Sequence, residues 1–424
     1  MRRTPLARLL PVLLALLLLS GCGLLPAGPK PLERPVSVAV VTDIHYTGED
    51  YAYVGSFAQA NEQSGSGKQV ELLPQLLDAF LEEMLEKHPD VLLITGDNAF
   101  NGARVSHEAL IQKLEPLRRA GILVLTLPGN HDLESYSLIF PEGEPVEAPS
   151  ITAEEFARLY ADYGYGGALS RDPNSLSYVY DSGLGVRFFL LDTIFRYGSV
   201  YGRVEEDTLQ WLERELKACR KAGDIPVVAG HHNLLTHNPL FTFEYTIDTG
   251  EQLRQLMADY GASLFLSGHL HVQSIAEKEG VTDIATESFA VYPHRWGLVT
   301  LDGLQWSYEA QATDVSAWAA RQEAPDLRLP DYDAYGRDFL YRGTWRIMEN
   351  SLAAVEDEEL KARACDQIAE INVAYFTGTP LASPGPEVLS LLEQAGDTFF
   401  PIYLNHITDL PPSLTAQGVF GKGT

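Results

Sequence analysis

Basic residues, sulfur and long apolar runs are what this chain has little of. Its 424 residues include 31 Lys and Arg against 58 Asp and Glu, a formal net charge of −27. A surface so acidic repels polyphosphate backbones, which excludes a nucleic-acid polymer as the expected partner, while bound metal ions could still draw a small phosphate into a local site. Three cysteines are too few for a disulfide framework. With Cys22 in the N-terminal segment, Cys219 and Cys365 remain. Export would permit a bridge between them, but Cys219 falls on the helical stripe Leu209, Leu212, Leu216, Cys219, so a buried thiol is the expectation. The apolar stretch Leu9 to Leu19 is well short of the ~20 residues that a membrane span needs.

What is there begins with Met1-Arg2-Arg3, that apolar stretch and then Ser20-Gly21-Cys22, the order of a basic n-region, an h-region and a small-residue cleavage site. Leu19-Ser20-Gly21-Cys22 resembles the lipobox of bacterial lipoproteins. The resemblance implies a signal peptide over 1–21, lipidation of Cys22, and a Pro- and Gly-containing tether over 22–35. A diacylglyceryl group carries two chains, enough for stable anchoring, so the expected place is the extracytoplasmic face of the cell membrane.

A 45% hydrophobic composition is ample for one large and one smaller domain. From Val36 to Leu304, β-like runs alternate with amphipathic helices, which predicts a layered α/β domain over 36–306. Helices are expected over Glu71 to Lys87, Ser106 to Arg119, Glu205 to Lys221 and Gly250 to Tyr260, and Thr152 with Glu155 forms a capping box that starts another. Pro116 is expected to kink or shorten the second. Two polar stretches, Glu49 to Lys68 and Pro141 to Ser150, are placed to overhang a site at the strand ends. Beyond Ser307 the β rhythm stops; Asp314 to Arg321, Tyr332 to Leu352, Asp357 to Phe376 and Pro386 to Gln394 read as helices of a C-terminal helical region over 307–424.

Five short blocks each follow a β-like run: Asp43-Ile44-His45, Gly96-Asp97, Gly129-Asn130-His131-Asp132, Gly230-His231-His232 and Gly268-His269-Leu270-His271. Residues i and i+2 of a strand end point the same way, so Asp43 and His45 can bind one ion together. A carboxylate after Gly96 has two oxygens with which to bridge two ions. Asn130 offers an amide oxygen, His131 an imidazole, and Asp132 a carboxylate able to hold that imidazole in one tautomer. His231 is favoured over His232 because it sits nearer the strand end. Any one histidine or Gly-Asp pair is more often structural; seven ligand types at five strand ends point to a metal site.

The blocks, in this order, resemble the calcineurin-like metallophosphoesterase superfamily, and their spacing is most similar to its class III cyclic-nucleotide phosphodiesterase and Icc-like branch. The resemblance covers Val36 to Leu304 and implies a four-layer α/β/β/α sandwich. It further implies one ion held by Asp43, His45, Asp97 and His271, and another by Asp97, Asn130, His231 and His269. A donor set of oxygen and imidazole without thiolate suits Mn, Fe or Zn. By the same resemblance His131 assists the leaving group, oriented by Asp132, and a small phosphate ester is the substrate, a diester in preference to a monoester. Outside the blocks, His294 and Arg295 are in reach of a substrate phosphate, or are simply solvated or packed on an aromatic. His237 and Asn238 are further candidates for the pocket wall, and His107 reads as a helix-start residue. The rival from another class is a surface binding or scaffold lipoprotein that kept the fold without the chemistry.

Overall fold

The structure is a computed structural model, and it describes residues 29–47, 66–134, 137–139, 144–303, 305–323, 325–379, 381–409 and 417–421. The signal peptide, Cys22, most of the tether and most of the Glu49 to Lys68 stretch lie outside the described residues. No helix among the described residues is long and apolar enough to cross a membrane.

In chain order the elements are β1 (Val36–Val41), α1 (Leu73–Lys87), β2 (Val91–Ile94), α2 (Arg104–Arg119), β3 (Leu123–Thr126), β4 (Leu138–Ile139), β5 (Val146–Glu147), α3 (Ala153–Leu159), β6 (Ser170–Arg171), β7 (Tyr178–Asp181), β8 (Val186–Leu191), α4 (Glu206–Ala222), β9 (Ile225–Gly230), α5 (Gly250–Tyr260), β10 (Leu264–Ser267), β11 (Ser274–Lys278), β12 (Val281–Ala285), β13 (Arg295–Asp302) and β14 (Gln305–Ala312). There follow α6 (Val315–Ala319), α7 (Tyr332–Ser351), α8 (Glu358–Thr377), α9 (Pro386–Gln394), α10 (Phe400–Asp409) and β15 (Gln417–Gly421).

Two mixed sheets form the middle of the molecule, in the orders β15-β14-β13-β1-β2-β3 and β11-β12-β10-β9-β8-β7-β6. Strand periodicity makes them layers. In β8, Phe188 and Leu190 join the core shared with the first sheet, while Phe189 and Leu191 face the other way onto Leu209, Leu212 and Leu216 of α4 and Leu253 and Met257 of α5. On the first sheet, α1 and α2 supply Leu73, Leu76, Leu77, Phe80, Leu110 and Leu114 to the shared core. The arrangement is helices, sheet, sheet, helices, as an alternating chain requires if each sheet is to cover both faces. Strands β1, β2 and β3 run parallel, as do β8, β9, β10 and β12, so their C-terminal ends collect on common edges.

Local rules explain several boundaries. Thr152 Oγ1 accepts from the Glu155 amide at 3.3 Å and Glu155 Oε2 accepts from the Thr152 amide at 2.9 Å, so α3 begins on the predicted capping box. Pro116 does not shorten α2, which runs to Arg119. It stands in the last turn, where only one helical hydrogen bond is lost. Cys219 and Cys365 are buried free thiols, in separate apolar clusters.

The β rhythm does not stop at Ser307. Strand β14 passes through that residue to Ala312 as the hairpin partner of β13, and β15, from the far end of the chain, pairs antiparallel with β14. Between them the helices α7 to α10 pack Met348, Leu352, Ile368, Leu392, Leu404 and Ile407 around Leu270, Val272 and Ala285 of the sheet domain.

Candidate metal centre

All five blocks lie where a strand ends, and hydrogen bonds between those ends draw them together. Asp43 N donates to Gly96 O at 3.0 Å, His45 N to Asp97 O at 2.9 Å, and Gly268 N to His231 O at 3.0 Å. Two glycines permit the close approach: a Cβ on Gly129 would strike the backbone and carboxylate of Asp97, and one on Gly268 would strike Thr42 and Asp43. Asp43, His45, Asp97, His269 and His271 all have positive φ, between 49° and 64°. Non-glycine residues rarely adopt that conformation, and five in one place mark backbone held by its surroundings to aim side chains.

Asp43, His45 and His271 offer ligand atoms within 4.8 Å of one another, and so do Asp97, His231 and His269. Asp97 lies between the groups, its Oδ2 3.8 Å from His45 Nε2 and 3.4 Å from His231 Nε2. Asn130 Oδ1 is 3.0 Å from His231 Nε2. His271 Nε2 is 3.1 Å from Asp43 Oδ1. His231 is oriented by Thr95 O, 2.9 Å from its Nδ1. His232 points elsewhere, between Thr193 Oγ1 at 2.8 Å and Val200 O at 3.0 Å.

The electrostatics call for cations. Burial alone would raise the Asp43 and Asp97 carboxyls, yet His271 and His231 hold Asp43 below the usual range, and His231 and His131 hold Asp97 well below it. Burial opposes charge on His231, but Asp97 and Asp43 carry it up to about 9. The reverse holds for His45, where burial and the charge of Lys68 push the imidazole well below its ordinary value. Among the described residues neither buried ring nitrogen of His45 has a hydrogen-bond partner, and a bound ion would satisfy one of them. Carboxylate, amide oxygen and imidazole donors fit two divalent ions of the Mn, Fe or Zn type.

Beside these ligands is a cavity of about 310 Å³, lined by Asp97, Asn130, His131, His269 and His271 on one side and by Phe241, Tyr245, Tyr375, Phe376 and Tyr403 on another. The His131 side chain is 41% exposed, with Nε2 4.0 Å from Asp97 Oδ2. Its own amide donates to Asp97 Oδ1 at 2.8 Å. It can therefore face a substrate while the ligands stay behind it.

The profile of calcineurin-like phosphoesterases matches residues 36–273. The chain belongs to that family. A second profile, the C-terminal domain of cyclic nucleotide phosphodiesterase, matches residues 314–389. Among solved structures, a dimetal phosphatase from Danio rerio is similar at TM-score 0.50 and 13% identity, covering 67% of this chain and 97% of that one. A phosphopantetheinyl hydrolase from Mycobacterium tuberculosis is similar at TM-score 0.32 and 15% identity, covering 62% and 91%. No curated protein matches the sequence.

In this calcineurin-like phosphoesterase the structure reassigns several expected residues. Asp132 does not orient His131. Its carboxylate is fully buried and accepts from Asn98 N and Nδ2, Ala99 N and Gly129 N at 2.8 to 3.1 Å, which pins the Gly96-Asp97 turn to the Gly129-Asn130 turn. His107 is no mere helix-start residue; it is buried between Tyr160 OH at 2.9 Å and Asp132 O at 3.1 Å. His294 faces no substrate, being buried between Phe289 O at 2.6 Å and the hydroxyl of Tyr332. Arg295 donates to Thr377 O at 2.8 Å, at the carbonyl end of α8, where a cation is favoured. Both join the sheet domain to the C-terminal helices. His237 pairs with buried Asp283 at 3.1 Å, and Asn238 donates to Tyr375 OH at 3.3 Å.

Sequence reading missed two contributors. Lys68, whose ammonium sits 5.8 Å from the Phe100 ring centroid, acts electrostatically on His45 and His131. Its one signal was its place at the end of a polar stretch beside the first block. The aromatic wall from α8 and α10 had no signal, because its residues lie more than a hundred positions from the last ligand.

Proposed function

We propose that this phosphoesterase hydrolyses phosphodiesters in preference to monoesters, and that it does so outside the cytoplasm on a lipid anchor at Cys22. The observation that carries the diester preference is the order of the two profile matches, a calcineurin-like domain followed by the C-terminal domain of a cyclic nucleotide phosphodiesterase. The anchor rests on Leu19-Ser20-Gly21-Cys22 alone.

Asp43, His45 and His271 would hold one ion and Asn130, His231 and His269 the other, with Asp97 between them. Two such ions supply, when bound, the positive charge that stabilises a phosphoryl group under attack and makes water nucleophilic at neutral pH. The remaining work falls to the chain. The two glycine turns hold Asp97 and Asp43 in place against backbone, and His131, at the cavity mouth, donates a proton to the departing ester oxygen. The acidic balance of the chain disfavours nucleic-acid polymers, and a cavity of about 310 Å³ takes a small ester.

The test is hydrolysis by the purified, Mn-supplied protein of matched diesters and monoesters, with metal content measured alongside. Faster turnover of the diesters is expected. Two bound ions with no hydrolysis of any ester would favour the surface binding or scaffold reading. Mass spectrometry of membrane-extracted protein tests the anchor; an unmodified Cys22 overturns it.

A further inference from the structure

The chain enters its first strand along the end of the molecule that is remote from the ligands. Lys30 N donates to Gly223 O at 2.7 Å, just ahead of β9. Leu32 lies over Gly185, where a Cβ would come within 2.9 Å of it, immediately ahead of β8. Arg34 Nη1 donates to the Asp90 carboxylate at 2.8 Å, immediately ahead of β2. Segment 30–35 is thus fixed at three points across the strand starts of both sheets. The ligands follow the strand ends. Strand β9 has six residues, so at ~3.3 Å per residue His231 stands roughly 20 Å from the pole that holds Lys30. Every residue of the sheet domain that lines the cavity also lies in a segment that follows a strand end.

We propose that a lipid on Cys22 holds the metal centre turned away from the bilayer, and that the substrate is therefore a water-soluble ester arriving from the aqueous side, not a phospholipid of the membrane in which the protein is anchored. The inference rests on the anchored phosphoesterase reading and deepens it by naming the class of substrate that can reach the site. Covalent geometry carries it. Eight peptide units join Cys22 to Lys30; drawn out fully they span at most about 29 Å, and as a flexible coil about 14–17 Å. To bring the ligands down to the lipid surface the tether would have to run up the flank past the whole length of the strands, drawn nearly straight, which forfeits its conformational freedom. Charge acts in the same direction, since a body of net charge −27 is repelled by an anionic lipid surface. A phospholipid ester stays in the headgroup layer unless both chains leave the bilayer, which the burial of those chains opposes. Tyr201 and Phe243, exposed rings 5.0 Å apart that would suit a lipid interface, stand in the segments after β8 and β9, at the ligand pole and not at the anchored one.

The experiment uses the full lipidated chain in phosphatidylcholine vesicles that carry an acceptor dye on a minor lipid. A donor dye is placed on Lys221→Cys, exposed at the anchored pole, or on Phe243→Cys, exposed at the ligand pole; Cys219 and Cys365 are buried, so the introduced thiol takes the label. Energy transfer to the bilayer is expected to be about twice as great or more from Lys221→Cys, and the difference should shrink when about thirty Gly-Ser residues are inserted after Gly23. With Mn supplied, the anchored chain should cleave soluble bis(p-nitrophenyl) phosphate within about twofold of the rate of a chain that starts at Lys30, and should leave the vesicle phosphatidylcholine intact. Equal or reversed transfer, a difference that the longer tether leaves unchanged, or cleavage of vesicle phosphatidylcholine as fast as of the soluble ester overturns the proposal. A chain that does not float with the vesicles removes the anchor, and the orientation with it. A chain that floats and transfers as expected but hydrolyses no ester removes the phosphoesterase reading and leaves the orientation standing.

Discussion

His131 and Asp132 are adjacent in the chain and differ in almost everything else. His131 reaches the cavity with a half-exposed ring, whereas the Asp132 carboxylate is sealed among four donors. Replacing His131 by Ala should leave metal content intact and lower turnover ~10²-fold or more, as loss of a general acid does. The deficit should shrink on nitrophenyl esters, whose leaving groups need no proton; an equal deficit on good and poor leaving groups would remove the role. Asp132→Ala strands buried amide donors of Asn98, Ala99 and Gly129, each costing about 1–3 kcal/mol, so the melting temperature and metal content should fall together. A variant that melts like the parent and merely loses activity would return Asp132 to the orienting role. Burial against half-exposure is the difference that two neighbouring letters do not record.

Elements show the same division. Asp90, just ahead of β2, accepts from Ser37 N at 2.9 Å, Ser37 Oγ at 3.0 Å and the Arg34 guanidinium, which clasps the start of β1 to β2. The Arg34 bond and those from Ser37 hold the Asp90 carboxyl down, from 3.8 to about 2. A depressed folded value means stability that is present above pH 3.8 and lost as pH falls towards 2. Melting temperature should decline over that window in the parent and decline less steeply in Asp90→Asn; parallel curves would discount the clasp. The helices α1 to α9 and the five strands ahead of the ligand blocks were legible before the structure because their apolar spacing is local, as in α1, α4 and α9. The outer strands of the second sheet, β14, α10 and β15 were not placed, and β15 is a strand only because β14 offers it an edge.

At the scale of the whole molecule, the C-terminal helices are part of the metal domain's construction. Leu270 and Val272, either side of His271, are buried in the cluster formed by α7 to α10. Arg295 and His294 bond to Thr377 and Tyr332, and β15 closes the first sheet. Truncation after Ser307 would cut β14 in mid-strand and expose that apolar surface, so the shortened chain should aggregate and hold less metal, as size-exclusion chromatography and metal analysis would record. A monomeric truncated chain with the parent's melting temperature and turnover would show the helices to be an independent module.

The sequence by itself determined the strand-end blocks, the donor types, the acidic balance and the alternation that builds two covered sheets, because each depends on residue identity and short spacing. Only the tertiary structure decided that Asp132 braces two turns instead of a histidine, that His294 and Arg295 join domains instead of binding substrate, and that α8 and α10 complete the cavity. Those outcomes depend on which distant surfaces meet, and a meeting set by the burial of apolar faces far apart in the chain leaves no local pattern to read.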